Sequence, residues 1–355
     1  MDAFTWDDPS GDGVRIAILM PDDDVRAAFV PPEAAAAMAA VGQVRWNDMK
    51  RQYTPEELTD VLAGVDICVT GWGFPRLDEA TLAKADRLRL VAHTGGSVAA
   101  ITSPALYDRG IRVVSGNWVY AESVAEGTLA YMLSALRRIP YYSTAGMCLE
   151  NWGHVMRYSQ GLLDQTVGLA GFGTVARYLV PMLRAFRVNV VAYDPFVPEE
   201  TFAALGVRRC DTLEELFSAC PIISLHLSLT PETYGLIGRD LLARMPDGGV
   251  LVNTARGQTV DEAALAQELR SGRLRAALDV YAHEPLAEDS PLRGLDNALL
   301  MPHMAGPTGD RSVRVGLALA EDMANLLAGR PLVNELVQAQ ARKMTQELTQ
   351  PPEKK

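Results

Sequence analysis

The chain has 355 residues, 48% of them hydrophobic, and a formal net charge of −11 at pH 7. This length is typical of two or three domains, and the acidic balance argues against a nucleic-acid partner and an anionic membrane surface. No apolar run reaches the roughly 18 residues of a membrane-spanning helix, and the acidic N-terminus is unlike a signal peptide. The four cysteines are scattered, so we expect a cytoplasmic protein with buried thiols and no metal site.

The first 120 residues alternate between short apolar runs and segments with helix-opening signals. Prolines open several of these segments, at positions where a helix does not use the N–H group. Alternation of this kind predicts an α/β unit with a parallel sheet. The predicted strands cover 14–20, 65–70, 88–92 and 111–114, and the predicted helices 31–41, 55–63, 77–85 and 102–108.

A long, mostly apolar helix is predicted from Ser123 to Cys148. Ser123 precedes Glu126 by three residues, which is the spacing of a capping box. Pro140 should kink or divide the helix because it lacks an N–H group. The helix and the segment that follows it, as far as Trp152, are too apolar to face water alone.

The stretch from Thr166 to Asp194 shows the pattern strand, glycine turn, helix, strand and acid. Its turn, GFGTVA, is the dinucleotide-binding fingerprint with alanine at the third small position. Gly171 permits the tight turn, Gly173 leaves room for a pyrophosphate, and Ala176 lets the helix pack closely on the strand. The free N–H groups at the start of the helix then face the anion.

Asp194 ends this stretch, 23 residues after Gly171, where a carboxylate can accept hydrogen bonds from a ribose diol. A lone glycine motif is explained as well by an ordinary turn before a helix, but here every element of the unit occurs in order. No basic residue stands beside Asp194 to bind a 2′-phosphate. The sequence therefore predicts NAD rather than NADP.

Strand and helix signals continue to alternate after Asp194 and predict a second α/β unit in series with the first. We therefore expect two lobes with an interdomain cleft, since ligand sites often form between domains. The predicted strands cover 222–225, 249–253, 276–280 and 298–301, and the predicted helices 213–219, 239–245, 262–271 and 310–327.

Arg256, Glu284 and His303 stand near strand ends of the second unit and form a candidate set for carbonyl reduction. The planar fork of the arginine can grip a carboxylate and polarise the adjacent ketone. The histidine can give a proton to the developing alkoxide, and the glutamate can hold its other nitrogen and favour the protonated ring. Each residue alone could be a surface ion pair, a loop carboxylate or a buried histidine. Together, after a dinucleotide fingerprint, they predict a catalytic site.

Several motifs together resemble the D-isomer-specific 2-hydroxyacid dehydrogenases: SVAE, VGLAGFGTVA, LHLSLTPETYGLI, MPDGGVLVNTARG, ALDVYAHEP and MPHMAG. The resemblance covers about residues 60–330 and implies an NAD enzyme in which Arg256, Glu284 and His303 have the roles just described. It also implies that Asp279 faces the nicotinamide carboxamide, and that the segment 124–152 forms a homodimer arm. The residues expected to bind the cofactor are Gly171, Phe172, Gly173, Thr174, Val175, Asp194, His226, Leu227, Thr233, Thr254, Ala255 and Asp279.

The loop from His93 to Ala99 departs from the family pattern, in which a glycine-rich loop with an acid and an asparagine holds the substrate carboxylate. Two glycines remain, so Gly95, Gly96 and Ser97 are expected to bind the substrate anion through backbone N–H groups, together with Arg256. The family resemblance also implies that formate dehydrogenases carry glutamine where this chain has Glu284, which argues against formate as the substrate.

The sequence thus predicts an α/β protein of two Rossmann- or flavodoxin-like doubly wound parallel-sheet domains. Residues 121–304 are expected to bind NAD, and residues 1–120 with 305–355 to bind the substrate. The expected reaction is the reversible reduction of a small 2-keto acid to a D-2-hydroxy acid. Two alternatives stay open: a corepressor-like protein that senses NAD without turnover, and a dehydrogenase of another oxyanion such as phosphite.

Overall fold

The computed structural model describes residues 6, 13–143 and 159–346, and these form two compact units. One unit lies within Met1–Tyr120 and Pro307–Glu347, and the other within Ala121–Gly306. Across the described residues, no helix combines the length and the apolar character needed to cross a membrane.

Both units consist of short strands joined by helices. In chain order the strands are β1 (Arg15–Ile18), β2 (Gln43–Trp46), β3 (Ile67–Thr70), β4 (Leu90–His93), β5 (Arg112–Ser115), β6 (Thr166–Ala170), β7 (Asn189–Tyr193), β8 (Arg208–Arg209), β9 (Ile222–Leu225), β10 (Val250–Asn253), β11 (Arg275–Leu278) and β12 (Ala298–Leu300). The helices are α1 (Asp24–Phe29), α2 (Pro32–Ala39), α3 (Pro55–Val61), α4 (Pro104–Asp108), α5 (Asn117–Arg137), α6 (Ile139–Tyr142), α7 (Thr174–Arg184), α8 (Glu199–Ala204), α9 (Leu213–Ala219), α10 (Arg239–Arg244), α11 (Glu262–Arg270), α12 (Val313–Leu327) and α13 (Gln338–Ala341).

The first unit has a sheet in the order β2-β1-β3-β4-β5, and the second a sheet in the order β8-β7-β6-β9-β10-β11-β12. All strand pairs are parallel. The strand order reverses beside β1 in the first sheet and between β6 and β9 in the second. Open parallel sheets bind ligands beyond the carboxyl ends of the strands at this point. The turns after β6 and β9 are therefore the expected cofactor edge of the second unit.

Each sheet is buried on both faces, because alternate side chains of a strand enter opposite cores. In the second unit, Leu169 packs in one apolar cluster and Ala170 in the other. In the first unit, Ile16 and Ala17 are divided in the same way. Burial on both faces explains why these strands are continuous apolar runs in the sequence. The predicted fold class, two doubly wound parallel-sheet units, is confirmed.

The helix predicted at 77–85 is wrong, since these residues form a series of turns. The Asp78 carboxylate accepts hydrogen bonds from the N–H groups of Ala80 and Thr81, both at 3.0 Å, and the Thr81 hydroxyl donates to the Arg76 carbonyl at 3.1 Å. Such side-chain bonds compete with the backbone bonds of a helix. The leucines that suggested a helix are buried without one.

The helix predicted from Ser123 to Cys148 has different ends. Its first part is α5, which begins at Asn117, so Ser123 lies inside the helix and the predicted capping box is wrong. The Ser123 hydroxyl is buried and has no hydrogen-bond partner in the described part of the chain. Arg138 has a φ of 54° and separates α5 from α6, which has Pro140 in its first turn. The predicted division at Pro140 is confirmed, whereas residues 144–152 lie outside the described residues.

Candidate active site

Close backbone contact with the loop after β9 shapes the glycine turn after β6. Gly171 has a φ of +95°, and a Cβ atom there would lie 2.7 Å from the carbonyl oxygen of His226. Glycine is the residue that tolerates both the torsion and the contact. Gly173, the N-cap of α7, faces open space, since a Cβ atom there would meet no described atom within 4 Å. The start of α7 therefore has room for a pyrophosphate beside its free N–H groups.

Phe172 and Asp194 hold this turn in place. The Phe172 ring is fully buried and stacks on Phe202 with 4.5 Å between centroids, so Phe172 can contact a cofactor only through its backbone. Its N–H group donates to Oδ2 of Asp194 at 2.9 Å, and the N–H group of Phe196 donates to Oδ1 at 2.9 Å. The Asp194 carboxylate, which the sequence predicts to bind a ribose, thus stabilises the glycine turn.

His226 lies in the loop after β9, on the other side of the switch point. Its Nε2 shares a hydrogen bond of 3.0 Å with the Ser224 hydroxyl. Burial lowers the pKa of His226 to about 4, so this ring is neutral at pH 7. The next residue, Leu227, packs against the apolar core of the unit. His226 can therefore contact a cofactor as a neutral group, without adding a charge.

The predicted threonines make protein contacts in the structure. The Thr254 hydroxyl lies 2.7 Å from the hydroxyl of Thr128 on α5, and the Thr233 hydroxyl donates to the Ser228 carbonyl at 2.7 Å. These bonds fix the loops after β10 and β9. Thr174 and Val175 lie in the first turn of α7, so their backbone N–H groups are among those that have no acceptor within the helix.

Arg256 lies in the loop after β10, and the Asn253 side chain stabilises this loop by hydrogen bonds. The Asn253 side chain accepts from the Ala255 N–H group at 3.0 Å and donates to the Arg256 carbonyl at 3.1 Å. The guanidinium donates to the Ala255 carbonyl at 2.6 Å and is in no ion pair with a carboxylate of the described residues. Burial lowers the pKa of Arg256, and the charge of Glu284 opposes this effect. A partly buried cation with unused donors is suited to an anionic ligand.

Glu284 and His303 form a hydrogen-bonded pair, with 2.6 Å between Oε2 and Nδ1. The other carboxylate oxygen accepts from the Tyr281 N–H group at 3.0 Å. Burial alone would raise the pKa of Glu284, but these two bonds and the charge of Arg256 hold it below its ordinary value. The His303 side chain is 49% exposed, and no described residue bonds its Nε2. This nitrogen is therefore free to exchange a proton with a ligand.

The loop that carries His303 is anchored by Asp279. Its two carboxylate oxygens accept hydrogen bonds from the N–H groups of Met304 and Ala305, each at 2.9 Å. His303 itself has a φ of 54°, a left-handed conformation that costs energy in a residue with a side chain. Because Asp279 is only 1% exposed, these bonds are shielded from water. Asp279 thus supports the strained backbone that presents the imidazole.

The predicted substrate loop belongs to the first unit and follows β4. The Gly116 N–H group and the Ser115 hydroxyl donate to the carbonyl groups of Gly95 and Gly96, both at 3.2 Å. The Ser97 hydroxyl donates to the carbonyl group of Thr345 at 2.9 Å. In contrast, the N–H groups of all three loop residues have no partner among the described residues. Consecutive N–H groups without a protein partner are the donors that an anion-binding nest uses, and the substrate-binding role of Gly95, Gly96 and Ser97 stays a prediction.

Two supporting side chains, Thr128 and Tyr131, were not predicted. They are three residues apart on α5 and bond Thr254 and Asp279, the latter at 3.3 Å. Their signal in the sequence is polar groups at helical spacing within a mostly apolar helix. Within the described ranges, no group of three or more His, Cys, Asp or Glu residues could hold a metal ion.

Comparison with known proteins matches residues 129–305 to the family model of the D-isomer specific 2-hydroxyacid dehydrogenase, NAD binding domain. A D-3-phosphoglycerate dehydrogenase of Methanocaldococcus jannaschii is 34% identical over 298 residues, which are 84% of this chain and 56% of that protein. The chain thus spans about half the length of that relative. A hydroxypyruvate reductase of Thermotoga maritima is 34% identical over 269 residues, 75% of this chain and 86% of that protein.

The same fold occurs in solved structures. The crystal structure of the apo form of Rhodotorula graminis D-mandelate dehydrogenase has a TM-score of 0.78 at 20% identity, with 92% of this chain and 98% of that chain covered. At this identity the likeness concerns the fold alone. The sequence matches carry the family assignment: this chain belongs to the D-isomer specific 2-hydroxyacid dehydrogenase family and contains its NAD-binding domain.

Proposed function

We propose that this chain is an NAD-dependent D-2-hydroxyacid dehydrogenase that reversibly reduces a small 2-keto acid. The observation that carries the proposal is the Glu284–His303 pair. It occurs in the same unit as Arg256, a partly buried cation that has no carboxylate partner among the described residues. An acid–base group and an anion-binding group are the two side chains that reduction of a keto acid needs.

In this reaction Arg256 binds the carboxylate of the keto acid and polarises its ketone, for which a planar guanidinium is better suited than an ammonium group. His303 donates the proton from Nε2 to the oxygen that becomes the alcohol, while Glu284 at Nδ1 stabilises the protonated ring. NADH, when bound, supplies the hydride. In the reverse direction the neutral imidazole takes the proton from the alcohol.

We assign the cofactor to residues 121–304 and the substrate anion to residues 1–120 with 305–355. The first assignment is supported by Gly173, where no atom of the described residues would meet a Cβ atom within 4 Å. The second is supported by the N–H groups of Gly95, Gly96 and Ser97, which have no hydrogen-bond partner in the described ranges. We retain the homodimer predicted from the segment 124–152, so light scattering should give about twice the 38.5 kDa chain mass. We place this dimer in the cytoplasm.

The proposal is tested by NADH oxidation with a panel of 2-keto acids, with phosphite and NAD as a parallel assay. His303→Gln should lower kcat by roughly two to four decades, the usual contribution of a positioned acid–base group, with NADH binding nearly unchanged. Arg256→Lys should raise KM and lower kcat, because the positive charge remains but the planar guanidinium fork is lost. NADH binding without turnover of any acid would indicate an NAD-sensing protein instead, and phosphite oxidation a different dehydrogenase.

A further inference from the structure

Three aromatic rings meet at the carboxyl edge of the first sheet. Trp72 follows β3, Phe29 ends the helix after β1, and Tyr120 lies in the first turn of the helix after β5. Phe29 and Tyr120 are stacked with 5.9 Å between centroids, and Trp72 meets them edge-on at 5.5 and 6.2 Å. We call this set the aromatic cluster.

The aromatic cluster borders the anion nest. A Cβ atom on Gly95 would lie 3.1 Å from Nε1 of Trp72, and one on Gly96 would lie 3.7 Å from Cγ of Tyr120. A ligand whose carboxylate occupies the nest therefore has its remaining atoms beside these rings. Trp72 is 55% exposed despite its size, so a large part of its indole surface is available to such a ligand.

The histidine beside the aromatic cluster is uncharged. His93, whose Nε2 lies 2.5 Å from a Cβ position on Gly95, is buried and bonds the Thr70 hydroxyl at 2.9 Å. Burial lowers the pKa of His93 to about 4, so the ring is neutral at pH 7. A neutral histidine does not attract a second anionic group to this end of the ligand.

Arginine and lysine are absent from the turns that directly follow the strands of this sheet. None occurs among the three residues that follow each of the five strands of this sheet. Arg26 and Lys50 are paired with Asp22, and Arg51 with Glu57, whereas the Arg314 guanidinium lies over the Trp118 ring, 5.9 Å from its centroid. A phosphorylated side chain packed on the aromatic cluster would lose hydration, and the turns after the strands supply no counter-ion of their own. An aromatic side chain would gain stacking and apolar contact there.

We propose that the 2-keto acid of this enzyme carries an aromatic side chain, which packs on Trp72 of the aromatic cluster while the carboxylate occupies the nest of Gly95, Gly96 and Ser97. The inference rests on the proposed function and names the substrate class within it. Trp72 is then the residue that determines the choice between 2-keto acids with an aromatic side chain and those with a short aliphatic one.

The test compares kcat/KM for phenylpyruvate, pyruvate and 3-phosphohydroxypyruvate with saturating NADH. Burial of a phenyl ring should favour phenylpyruvate over pyruvate by ~10- to 100-fold, and 3-phosphohydroxypyruvate should be the poorest of the three. Turnover with a preference for pyruvate or the phosphorylated acid would overturn the inference and leave the proposed function standing. No turnover with these three acids would overturn the inference, and no turnover across the whole panel of 2-keto acids would overturn both.

Variants of Trp72 separate its role from a general loss of structure. Trp72→Ala should reduce the phenylpyruvate-to-pyruvate ratio about tenfold or more, and Trp72→Phe should restore most of it because a ring remains. Leu163→Ala removes another apolar side chain that is 51% exposed and should leave the ratio unchanged. A ratio that stays the same in Trp72→Ala would overturn the inference, and the wild-type panel decides the question if that variant does not fold.

Discussion

Gly257 lies against the backbone of Tyr281 so closely that a Cβ atom on the glycine would be 1.9 Å from the tyrosine carbonyl carbon. Gly257 directly follows Arg256, and the N–H group of Tyr281 binds the Glu284 carboxylate. This contact therefore joins the loop of the proposed anion-binding arginine to the loop of the proposed acid–base pair. The separation of Arg256 from Glu284 depends on a glycine at position 257.

Gly257→Ala should disturb this arrangement. The added methyl group overlaps backbone atoms, which cannot rotate away as a side chain could, so one of the two loops must shift. A displacement of about 1 Å can lower catalysis ~100-fold, and overpacking costs about 1–3 kcal/mol of stability. We expect kcat/KM of Gly257→Ala to fall by about two decades, together with a lower Tm.

Gly161→Ala, where a Cβ atom meets nothing within 4 Å in the described structure, is the matched control. Wild-type activity in Gly257→Ala would show that the contact has no role.

The features predictable from the sequence are those with local causes. The glycine turn follows from a short motif whose steric requirement at Gly171 is the same in any protein of this design. The paired Glu284 and His303 follow strands that the sequence also predicted, and parallel strands bring their carboxyl ends to one edge. The helix predicted at 77–85 failed for a local reason as well, because Asp78 and Thr81 offered the backbone other partners.

Features with distant causes were not predictable. The Asp279 carboxylate is used by backbone groups 25 and 26 residues away, and no periodic pattern marks such a bond. The aromatic cluster forms from residues at three separate strand ends. In the sequence, Trp72 is only a large residue between two glycines, and nothing there indicates its ring partners. The left-handed conformation of His303 has no glycine to signal it and depends on its neighbours' bonds to Asp279.

Glu284→Gln should shift the pH profile of reduction. Reduction needs a proton on His303, and the ionised carboxylate 2.6 Å from Nδ1 stabilises that protonated ring. The pKa of Glu284 is held below its ordinary value, so the carboxylate is ionised throughout the neutral range. Without this charge the protonated ring has no anionic partner, so the alkaline limb of the kcat/KM profile for reduction should move to lower pH. The acidic limb of alcohol oxidation, which needs the neutral ring, should move in the same direction.

The control for this shift is Glu288→Gln, which removes an exposed carboxylate of the same loop region and should leave both limbs in place. The profiles are measured by initial rates with NADH and the best keto acid across the neutral range. If Glu284→Gln lowers kcat but keeps the position of both limbs, Glu284 is not the electrostatic partner of His303.

Asp279→Asn distinguishes two roles for one carboxylate. The structure shows it anchoring the N–H groups of Met304 and Ala305, whereas the family resemblance places it at the nicotinamide carboxamide. An asparagine keeps one acceptor and turns an NH₂ group toward the other N–H, which should loosen the His303 loop.

We expect kcat of Asp279→Asn to fall ~10- to 100-fold, the cost of a misplaced acid–base group, with the Kd for NADH nearly unchanged. Tyr131→Phe removes only the 3.3 Å bond to Asp279 and should keep most of the activity. A large rise in the Kd for NADH with kcat retained would favour the carboxamide role.

Asp194 should make the enzyme prefer NADH to NADPH, because its carboxylate repels a 2′-phosphate. Removing that charge should reduce the NADH-to-NADPH ratio of kcat/KM about tenfold or more, as expected for a close charge pair near a protein surface. The structure adds a second effect, since Asp194 also accepts the N–H groups of Phe172 and Phe196 at 2.9 Å. Asp194→Asn retains an acceptor and should change the ratio with a small loss of Tm, whereas Asp194→Ala frees both N–H groups and should lower Tm further. A wild-type preference for NADPH, or a ratio unaffected by either substitution, would show that this carboxylate does not face the ribose and serves the glycine turn alone.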